Sequence, residues 1–180
     1  DPSIKAKPRL KNINKIKFMS AGMLENRKGF DLLLKAIKLI PVATRANFYF
    51  TIFGDGGQRG ELEHMITSLD LDRCVTLAGF TPDLTTHYDS YDAFILSSRY
   101  EGFPLVMVNA LASGMPVIAF DCETGPRDIV VSGFNGVLVE NGDTQKMSEA
   151  IMSFSSSFYD IDYYKNCINS SSKYSLVNSL

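Results

Sequence analysis

The sequence predicts an α/β fold, with a parallel sheet of about six strands covered by helices on both faces. Three observations predict it. Short apolar runs rich in Val, Ile and Phe recur along the chain and are nearly continuous, as in strands buried on both sides. Stretches with helical spacing lie between these runs. Successive runs begin roughly 18 to 32 residues apart, which fits one strand and one crossover helix.

The predicted strands are the six apolar runs in chain order. They comprise residues 16–19, 48–53, 75–78, 93–96, 116–120 and 137–139. Each run is short, and each is separated from the next by enough chain for a helix. The connections are therefore expected to be crossovers between parallel strands.

The predicted helices follow from apolar residues at positions i, i+3, i+4 and i+7. Three sets have this spacing: Phe30, Leu33, Leu34 and Ile37; Leu62, Met65, Ile66 and Leu69; and Met147, Ala150, Ile151 and Phe154. Residues 105–111 are apolar almost all round. That composition is typical of a helix packed between other elements.

The length of 180 residues accommodates one ordinary domain, which we place at residues 16–155. Residues 1–15 read as a linker, and without an initiator Met they suggest a piece of a longer protein. Residues 156–180 combine Ser runs with tyrosines. We expect this tail to be helical and to dock on a part of the protein outside this chain, because tyrosines favour a surface to cover.

Composition excludes several classes of function. The formal net charge is −2 and the pI about 5.7, so a nucleic-acid partner is not expected. The apolar runs are far shorter than the roughly 18 residues that span a bilayer, and the start does not read as a signal peptide. Cys74, Cys122 and Cys167 are an odd number without a close pair, which favours a reducing compartment.

The carboxyl ends of the strands are where an open parallel sheet binds ligands. In the loop after the fourth predicted strand, Gly102 and Pro104 indicate a helix N-terminus that suits an anion such as a diphosphate. Glu101 lies just ahead of it and would repel phosphate. It is expected either to accept hydrogen bonds from sugar hydroxyls or only to stabilise the helix dipole. Arg27 and Lys28 are either phosphate partners or a solvated surface pair.

Metal or nucleophilic chemistry has little support in the sequence. His64 and His87 are isolated, and Cys122 reads as a small packing residue. The carboxylate pairs Asp70/Asp72 and Asp160/Asp162 are expected at turns or caps rather than at a strand end. Neither a dinucleotide fingerprint nor a P-loop occurs. No metal site and no cofactor are predicted.

Several segments occur in a distinctive order. They are Ser20-Ala21-Gly22 with residues 27–34 (RKGFDLLL), then residues 53–56 (FGDG), 77–80 (LAGF), 92–106 (DAFILSSRYEGFPLV) and 112–119 (ASGMPVIA). Together they resemble the C-terminal, donor-binding half of GT-B-fold glycosyltransferases of group 1, or family 4. Residues 124–129 (TGPRDI) resemble the version in bacterial surface-polysaccharide enzymes that use UDP-sugars.

This resemblance implies a Rossmann-like domain and a role for each matching residue. Glu101 matches the first carboxylate of an E-x7-E motif, a catalytic group that contacts hydroxyls of the donor sugar. Lys28 matches the lysine that neutralises the donor diphosphate. The other residues implied for sugar and diphosphate binding are Arg27, Gly22, Gly102, Phe103, Pro104 and Leu105, the last three through the backbone. Phe80 and Thr81 would recognise the base, and Asn109 would face the ribose.

Two positions depart from the family pattern. Asn109 stands where the second carboxylate of the motif is expected, and an amide binds ribose hydroxyls less strongly than a carboxylate. Met23 follows Gly22 where an arginine is expected. Both changes would weaken the affinity for a nucleotide, although Arg27 could replace part of the missing charge.

The function implied by the resemblance is retaining, metal-independent transfer of a sugar from a nucleotide-sugar to a saccharide or lipid-linked acceptor, in surface-polysaccharide synthesis. The expected nucleotide of the donor is UDP. The partners would be that donor and an N-terminal acceptor-binding domain outside this chain, without which the chain should not transfer sugar. The location would be cytoplasmic, with the whole enzyme attached peripherally to the inner face of the membrane. Two alternatives stay open: a non-catalytic nucleotide-sugar-binding relative, and a GT-B-fold nucleotide-sugar epimerase.

Overall fold

The computed structural model describes residues 15–154 and 161–174. Residues 1–14 of the expected linker, and residues 155–160 and 175–180 at the tail, lie outside the described residues, as does Asp160.

Six strands form one parallel sheet. They are β1 (Ile16–Ala21), β2 (Phe48–Phe53), β3 (Val75–Gly79), β4 (Ala93–Leu96), β5 (Val117–Asp121) and β6 (Gly136–Glu140). Their order is β3-β2-β1-β4-β5-β6, and each neighbouring pair is parallel. The predicted fold class is confirmed, and the predicted strands differ from these only at their ends.

Helices connect the strands and follow the last one. They are α1 (Phe30–Leu39), α2 (Val42–Arg45), α3 (Arg59–Ser68), α4 (Leu105–Ala112), α5 (Pro126–Ile129), α6 (Thr144–Ser153) and α7 (Ile161–Ser172). Short 3₁₀ helices occupy Asn26–Lys28 and Thr85–Ser90. The apolar residues at helical spacing are buried on α1, and those on α3 and α6 are buried or packed at the edge of the core.

Each face of the sheet carries its own core. On one face, residues of α1, α3 and α6 pack around Phe18 and Phe50 of the sheet. On the other face, α4 packs against β4 and β5 together with Ile129 of α5 and Cys167 of α7. Helices therefore cover both faces, as the nearly continuous apolar strands require.

The tail helix α7 lies on α4. The Cys167 side chain is fully buried, and the Tyr163 hydroxyl donates to the Gly136 carbonyl at 3.4 Å. The tail is helical over Ile161–Ser172, as predicted, and it packs on α4 within this chain, because a helix that is apolar all round has to be covered on the side away from the sheet as well. The docking of the tail on a part of the protein outside this chain stays a prediction.

The strand order reverses at β1 and β4. The chain leaves β1 towards β2 on one side and leaves β4 towards β5 on the other, so the loops after these two strands separate. This switch point opens a crevice at the carboxyl edge of the sheet, which is where ligands of doubly wound sheets bind.

Candidate functional site

Glu101 is buried at the switch point and surrounded by donors. Its side chain is 3% exposed. Lys28 Nζ donates to Oε1 at 2.7 Å, Ser98 Oγ donates to the same oxygen at 2.6 Å, and Arg27 Nη1 donates to Oε2 at 3.1 Å. The structure thus brings together Glu101, Lys28 and Arg27, three residues that the sequence singled out. Ser98 was missed, because a serine between strand and loop carries no distinguishing pattern.

The two cations are held by contacts between the loops after β1 and β4. Ser97 Oγ donates to the Lys28 carbonyl at 2.9 Å, and the Arg99 N–H donates to the Arg27 carbonyl at 2.8 Å. Gly29 adopts a left-handed conformation with φ of 62°, and a Cβ there would lie 2.1 Å from the Ser97 carbonyl oxygen. Glycine is therefore required for the two loops to approach so closely.

A second ion pair supports the same junction. Both guanidinium amino groups of Arg99 donate to the Asp31 carboxylate at 2.8 Å, and Nη1 also donates to the Asn26 carbonyl at 2.6 Å. Burial alone would raise the pKa of Asp31, but the hydrogen bonds and charge of Arg99 outweigh it, so this pKa lies below its usual value. The pair joins α1 to the loop after β4, and sequence reasoning did not find it.

Arg27 is shared between two carboxylates. Its Nε donates to Glu25 at 3.0 Å, while Nη1 contacts Glu101. Partial burial opposes its charge, yet the hydrogen bond to Glu25 and the charge of Glu101 together raise the pKa of Arg27. Glu25, Arg27, Lys28 and Glu101 carry two positive and two negative charges, so the cluster is electrically neutral.

An open cleft of about 350 Å³ lies at the carboxyl ends of β1 and β2, and it meets the cluster at Gly22, where a Cβ would lie 3.1 Å from the Lys28 side chain. Its lining comprises Ala21, Gly22, Met23, Phe53, Gly54, Asp55, Phe80, Thr81, Leu84 and Val106. Phe80 is 76% exposed at the rim. Three residues assigned from the sequence, Gly22, Phe80 and Thr81, therefore meet at one cleft with Met23. Leu84 and Val106 were missed, since apolar residues here look like ordinary core.

Asn109 lies one helical turn beyond Val106 on α4 and is partly buried. The cleft wall includes Val106 but not Asn109. The predicted ribose contact of Asn109 is therefore not built into this arrangement of the described residues, and it stays a prediction.

The loop that precedes α4 differs from the prediction in the direction of one backbone N–H group. Pro104 is the N-cap of α4, and Gly102 and Phe103 are exposed. The Leu105 N–H, expected to face a ligand, instead donates to the Phe103 carbonyl at 3.0 Å. The cause is a tight turn at Pro104, which folds the loop back on itself before the helix starts.

The loop after β5 contacts this turn and holds it in place. Thr124 Oγ1 donates to the Glu101 carbonyl. Gly125 has φ of 93°, and a Cβ there would lie 2.6 Å from Cδ of Pro104. Cys122 in the same loop is buried, and burial raises the pKa of its thiol, which suits the packing role expected for it.

Residues considered for metal chemistry do not converge. Across residues 15–154 and 161–174, no three His, Cys, Asp or Glu side chains are placed so that they could hold a metal ion together.

In the same ranges, no helix is long and apolar enough to cross a membrane.

A larger cavity of about 540 Å³ lies at the opposite edge, near the amino ends of β1 and β2. Its buried cation, Arg45, donates to the carbonyls of Ile37 and Lys38 at the end of α1. Lys38 in turn donates to the Leu69 carbonyl at 2.8 Å. Because these cations serve internal contacts, we place the functional site at the carboxyl edge.

A doubly wound sheet, a buried carboxylate paired with two cations at the switch point and an open cleft beside them define a Rossmann-like ligand-binding domain. Residues 3–173 match the sequence profile of the family "Glycosyl transferases group 1". The chain belongs to this family, and the predicted family is confirmed.

Named relatives agree with this membership. An uncharacterized glycosyltransferase of Haemophilus influenzae is 30% identical over 81% of this chain and 41% of its own length. The poly(ribitol-phosphate) alpha-N-acetylglucosaminyltransferase of Staphylococcus aureus is 33% identical over 69% of this chain and 25% of its own length. The chain thus spans well under half the length of these relatives.

Solved structures show the same fold. A TarM mutant of S. aureus in complex with fondaparinux, alpha-GlcNAc-glycerol and UDP superposes with a TM-score of 0.84 at 28% identity, covering 92% of this chain and 34% of TarM. HepE of Anabaena in complex with UDP and glucose gives a TM-score of 0.78 at 25% identity, covering 89% of this chain and 44% of HepE.

Proposed function

We propose that this chain is the donor-binding half of a retaining, metal-independent glycosyltransferase that uses a UDP-sugar. The acceptor would be a saccharide or a lipid-linked saccharide in surface-polysaccharide synthesis, bound by a domain outside this chain. The observation that carries the proposal is the 2.7 Å contact between Lys28 and Glu101 at the switch point, beside a cleft with Phe80 at its rim. The UDP complexes of TarM and HepE support the choice of nucleotide.

The hydrogen-bonding capacity of the cluster leaves room for a donor. An ionised carboxylate has about four acceptor sites, and Glu101 uses one on Oε2 and two on Oε1. Among the residues that the structure describes, Arg27 alone donates to Oε2, so that oxygen could also accept a bond from a hydroxyl of the donor sugar. Lys28 donates once to Glu101 and keeps further N–H donors for a phosphate oxygen.

The proposed mechanism follows from these groups. As an acceptor hydroxyl oxygen bonds to the sugar, the bond from the sugar to the diphosphate breaks and negative charge develops on the leaving diphosphate. Lys28, next to Gly22 of the cleft wall, and Arg27, on the same carboxylate, would stabilise that charge. Preorganised cations stabilise such a transition state without a cost of reorganisation. Glu101 orients the sugar, and Ser98 fixes the carboxylate. Retention rests on the family likeness, and the anomeric signal of the product in an NMR spectrum tests it.

The nucleotide assignment is tested by thermal shift with UDP, GDP and ADP. UDP at about 100 times its dissociation constant should raise the melting temperature by roughly 5 °C or more, because a ligand of the native state adds about 2.7 kcal/mol. Lys28→Met should lose most of this shift. Lys146→Met, at an exposed cation paired with Glu140, should keep it. Equal melting of the wild-type chain with all three nucleotides and with buffer would contradict the proposal.

A non-catalytic nucleotide-sugar-binding relative is the second candidate, and Met23 is the observation that favours it. Met23 is 61% exposed on the wall of the cleft, at the position where the family pattern has an arginine. Because the neighbouring cluster is electrically neutral, it does not supply the positive charge that an arginine at position 23 would add. Transfer measured with the longer protein that contains both halves separates the two candidates.

Met23→Arg is expected to tighten UDP binding about fivefold at low salt, because it adds a positive charge beside a diphosphate at a partly exposed site, worth about 1 kcal/mol. Calorimetry measures the change, and high salt should reduce it. Met23→Leu should bind as the wild type does, and Tyr49→Arg gives the same net charge near the amino end of β2, away from the cleft. A similar gain in Tyr49→Arg would show that net charge, rather than this position, is responsible.

A further inference from the structure

We propose that Tyr174, beyond the end of the tail helix, is a positioning residue of the donor-sugar subsite and acts through Phe103. The inference rests on the proposed function. It adds a residue from the C-terminal tail to a site whose other residues come from the sheet and its loops. It follows from where the tail helix is anchored and from what Tyr174, two residues after the end of that helix, contacts.

The tail helix has a fixed position along α4. Near the start of α7, the Tyr164 ring covers Gly114, and a Cβ on Gly114 would lie only 2.0 Å from that ring. Midway along α7, Cys167 is fully buried, and its thiol contacts the Asn135 carbonyl at 3.7 Å. These contacts fix both the register of the helix and its distance from α4.

The two helices run antiparallel. Gly114 follows the C-terminal end of α4, and Phe103 precedes its N-terminal end. Tyr164 contacts the first of these positions and Tyr174 the second. The tail therefore passes along α4 and reaches the loop that carries Glu101.

Tyr174 itself is held from two sides. Its hydroxyl donates to the Asp128 carbonyl at 3.0 Å, and its backbone N–H donates to the Ser171 carbonyl at 2.9 Å. Its ring centroid lies 5.6 Å from that of Phe103, at an interplanar angle of 55°. Ring pairs at this separation attract each other, so Tyr174 limits the positions that the Phe103 ring can adopt.

The Phe103 ring is less constrained than the residues on either side of it, so the contact with Tyr174 matters for its position. The neighbouring Glu101 is held by Thr124, and Pro104 packs on Gly125. Between them, Gly102 is exposed, and a Cβ there would meet nothing within 4 Å. Phe103 is 40% exposed, two residues from the carboxylate that is proposed to orient the sugar. A ring fixed by Tyr174 would give the sugar a defined apolar wall.

The test compares UDP with UDP-glucose and UDP-N-acetylglucosamine by calorimetry on the full chain. Tyr174→Ala is expected to weaken binding of the UDP-sugars about threefold to tenfold relative to UDP, because the Phe103 ring loses its partner while the cleft is unchanged. Tyr174→Phe keeps the ring and should lose less. Tyr49→Ala, near the amino end of β2, should leave the ratio unaltered.

A double-mutant cycle separates positioning from a general loss of structure. Phe103→Ala should weaken sugar binding as Tyr174→Ala does, and the double variant should be no worse than Phe103→Ala alone. Additive losses, or a ratio unchanged in Tyr174→Ala, would overturn the inference while leaving the proposed function intact. A wild-type chain that binds neither UDP nor UDP-sugars would overturn both.

Discussion

Replacing Glu101 by alanine is expected to lower the free energy of unfolding by about 3 kcal/mol, because it leaves Lys28 without its buried partner. The Glu101 side chain is 3% exposed and that of Lys28 only 11%, so water cannot fully replace the lost contact. Ser98 Oγ also loses its acceptor. The same variant should bind UDP-sugars no more tightly than UDP. Urea denaturation gives the first quantity and calorimetry the second.

Two companion variants make this result specific. Glu25→Ala removes a carboxylate from the same Arg27, but Glu25 is 37% exposed, so the expected loss is below about 1 kcal/mol. Glu101→Gln keeps the shape of the side chain and one acceptor, and it should retain more stability while still losing the preference for UDP-sugars. Equal destabilisation by Glu25→Ala and Glu101→Ala would mean that burial of the carboxylate is not what matters.

The sheet could be predicted from the sequence because its strands are buried on both faces. Runs such as residues 48–53 and 93–96 coincide with β2 and β4, since continuous apolar residues leave few other solutions. The strand ends differ from the predicted ones. β1 continues to Ala21 through Ser20, whose hydroxyl donates to the Ile95 carbonyl of β4 at 2.7 Å. A polar residue satisfied by a neighbouring strand cannot be recognised before the strand order is known.

The site could be predicted only in part. Physical reasoning predicts an anion-binding helix N-terminus with a carboxylate ahead of it, and the family likeness assigns Glu101 to the sugar and Lys28 to the diphosphate. The direct contact between the two side chains was not predicted. The bidentate contact between Arg99 and Asp31 spans 68 residues and depends on how two loops meet. Gly29 was a usable signal: a glycine directly after two cations indicates a close approach of the backbone.

The tail could be predicted only in part. Ser runs and tyrosines predict a helix that covers a surface, and within residues 161–174 that surface includes α4. The all-round apolar character of residues 105–111 had already indicated a helix with neighbours on two sides, and α7 is the second neighbour. Together, those two observations predict that the tail packs on α4.

The largest loss of stability is expected from Phe18→Ala, at about 4 kcal/mol. Phe18 is 1% exposed, stacks on Phe50 at 5.0 Å and meets Phe48 and Phe154 edge-on, each at 5.5 Å. Truncation would leave a cavity among rings that cannot easily collapse. The melting temperature should fall by roughly 8 to 16 °C, measured by calorimetry.

Controls for Phe18→Ala separate lost packing from lost aromatic area. Phe18→Leu keeps most of the volume, and we expect a loss of about 1.5 kcal/mol. Phe80→Ala removes the same ring at a 76% exposed position and should change stability by less than about 0.5 kcal/mol. If Phe18→Ala were no more harmful than Phe80→Ala, Phe18 would not lie at the centre of this core. Phe18 lies on β1, and Lys28 lies in the loop that follows β1. The packing of Phe18 would then not explain how Lys28 is held beside Glu101.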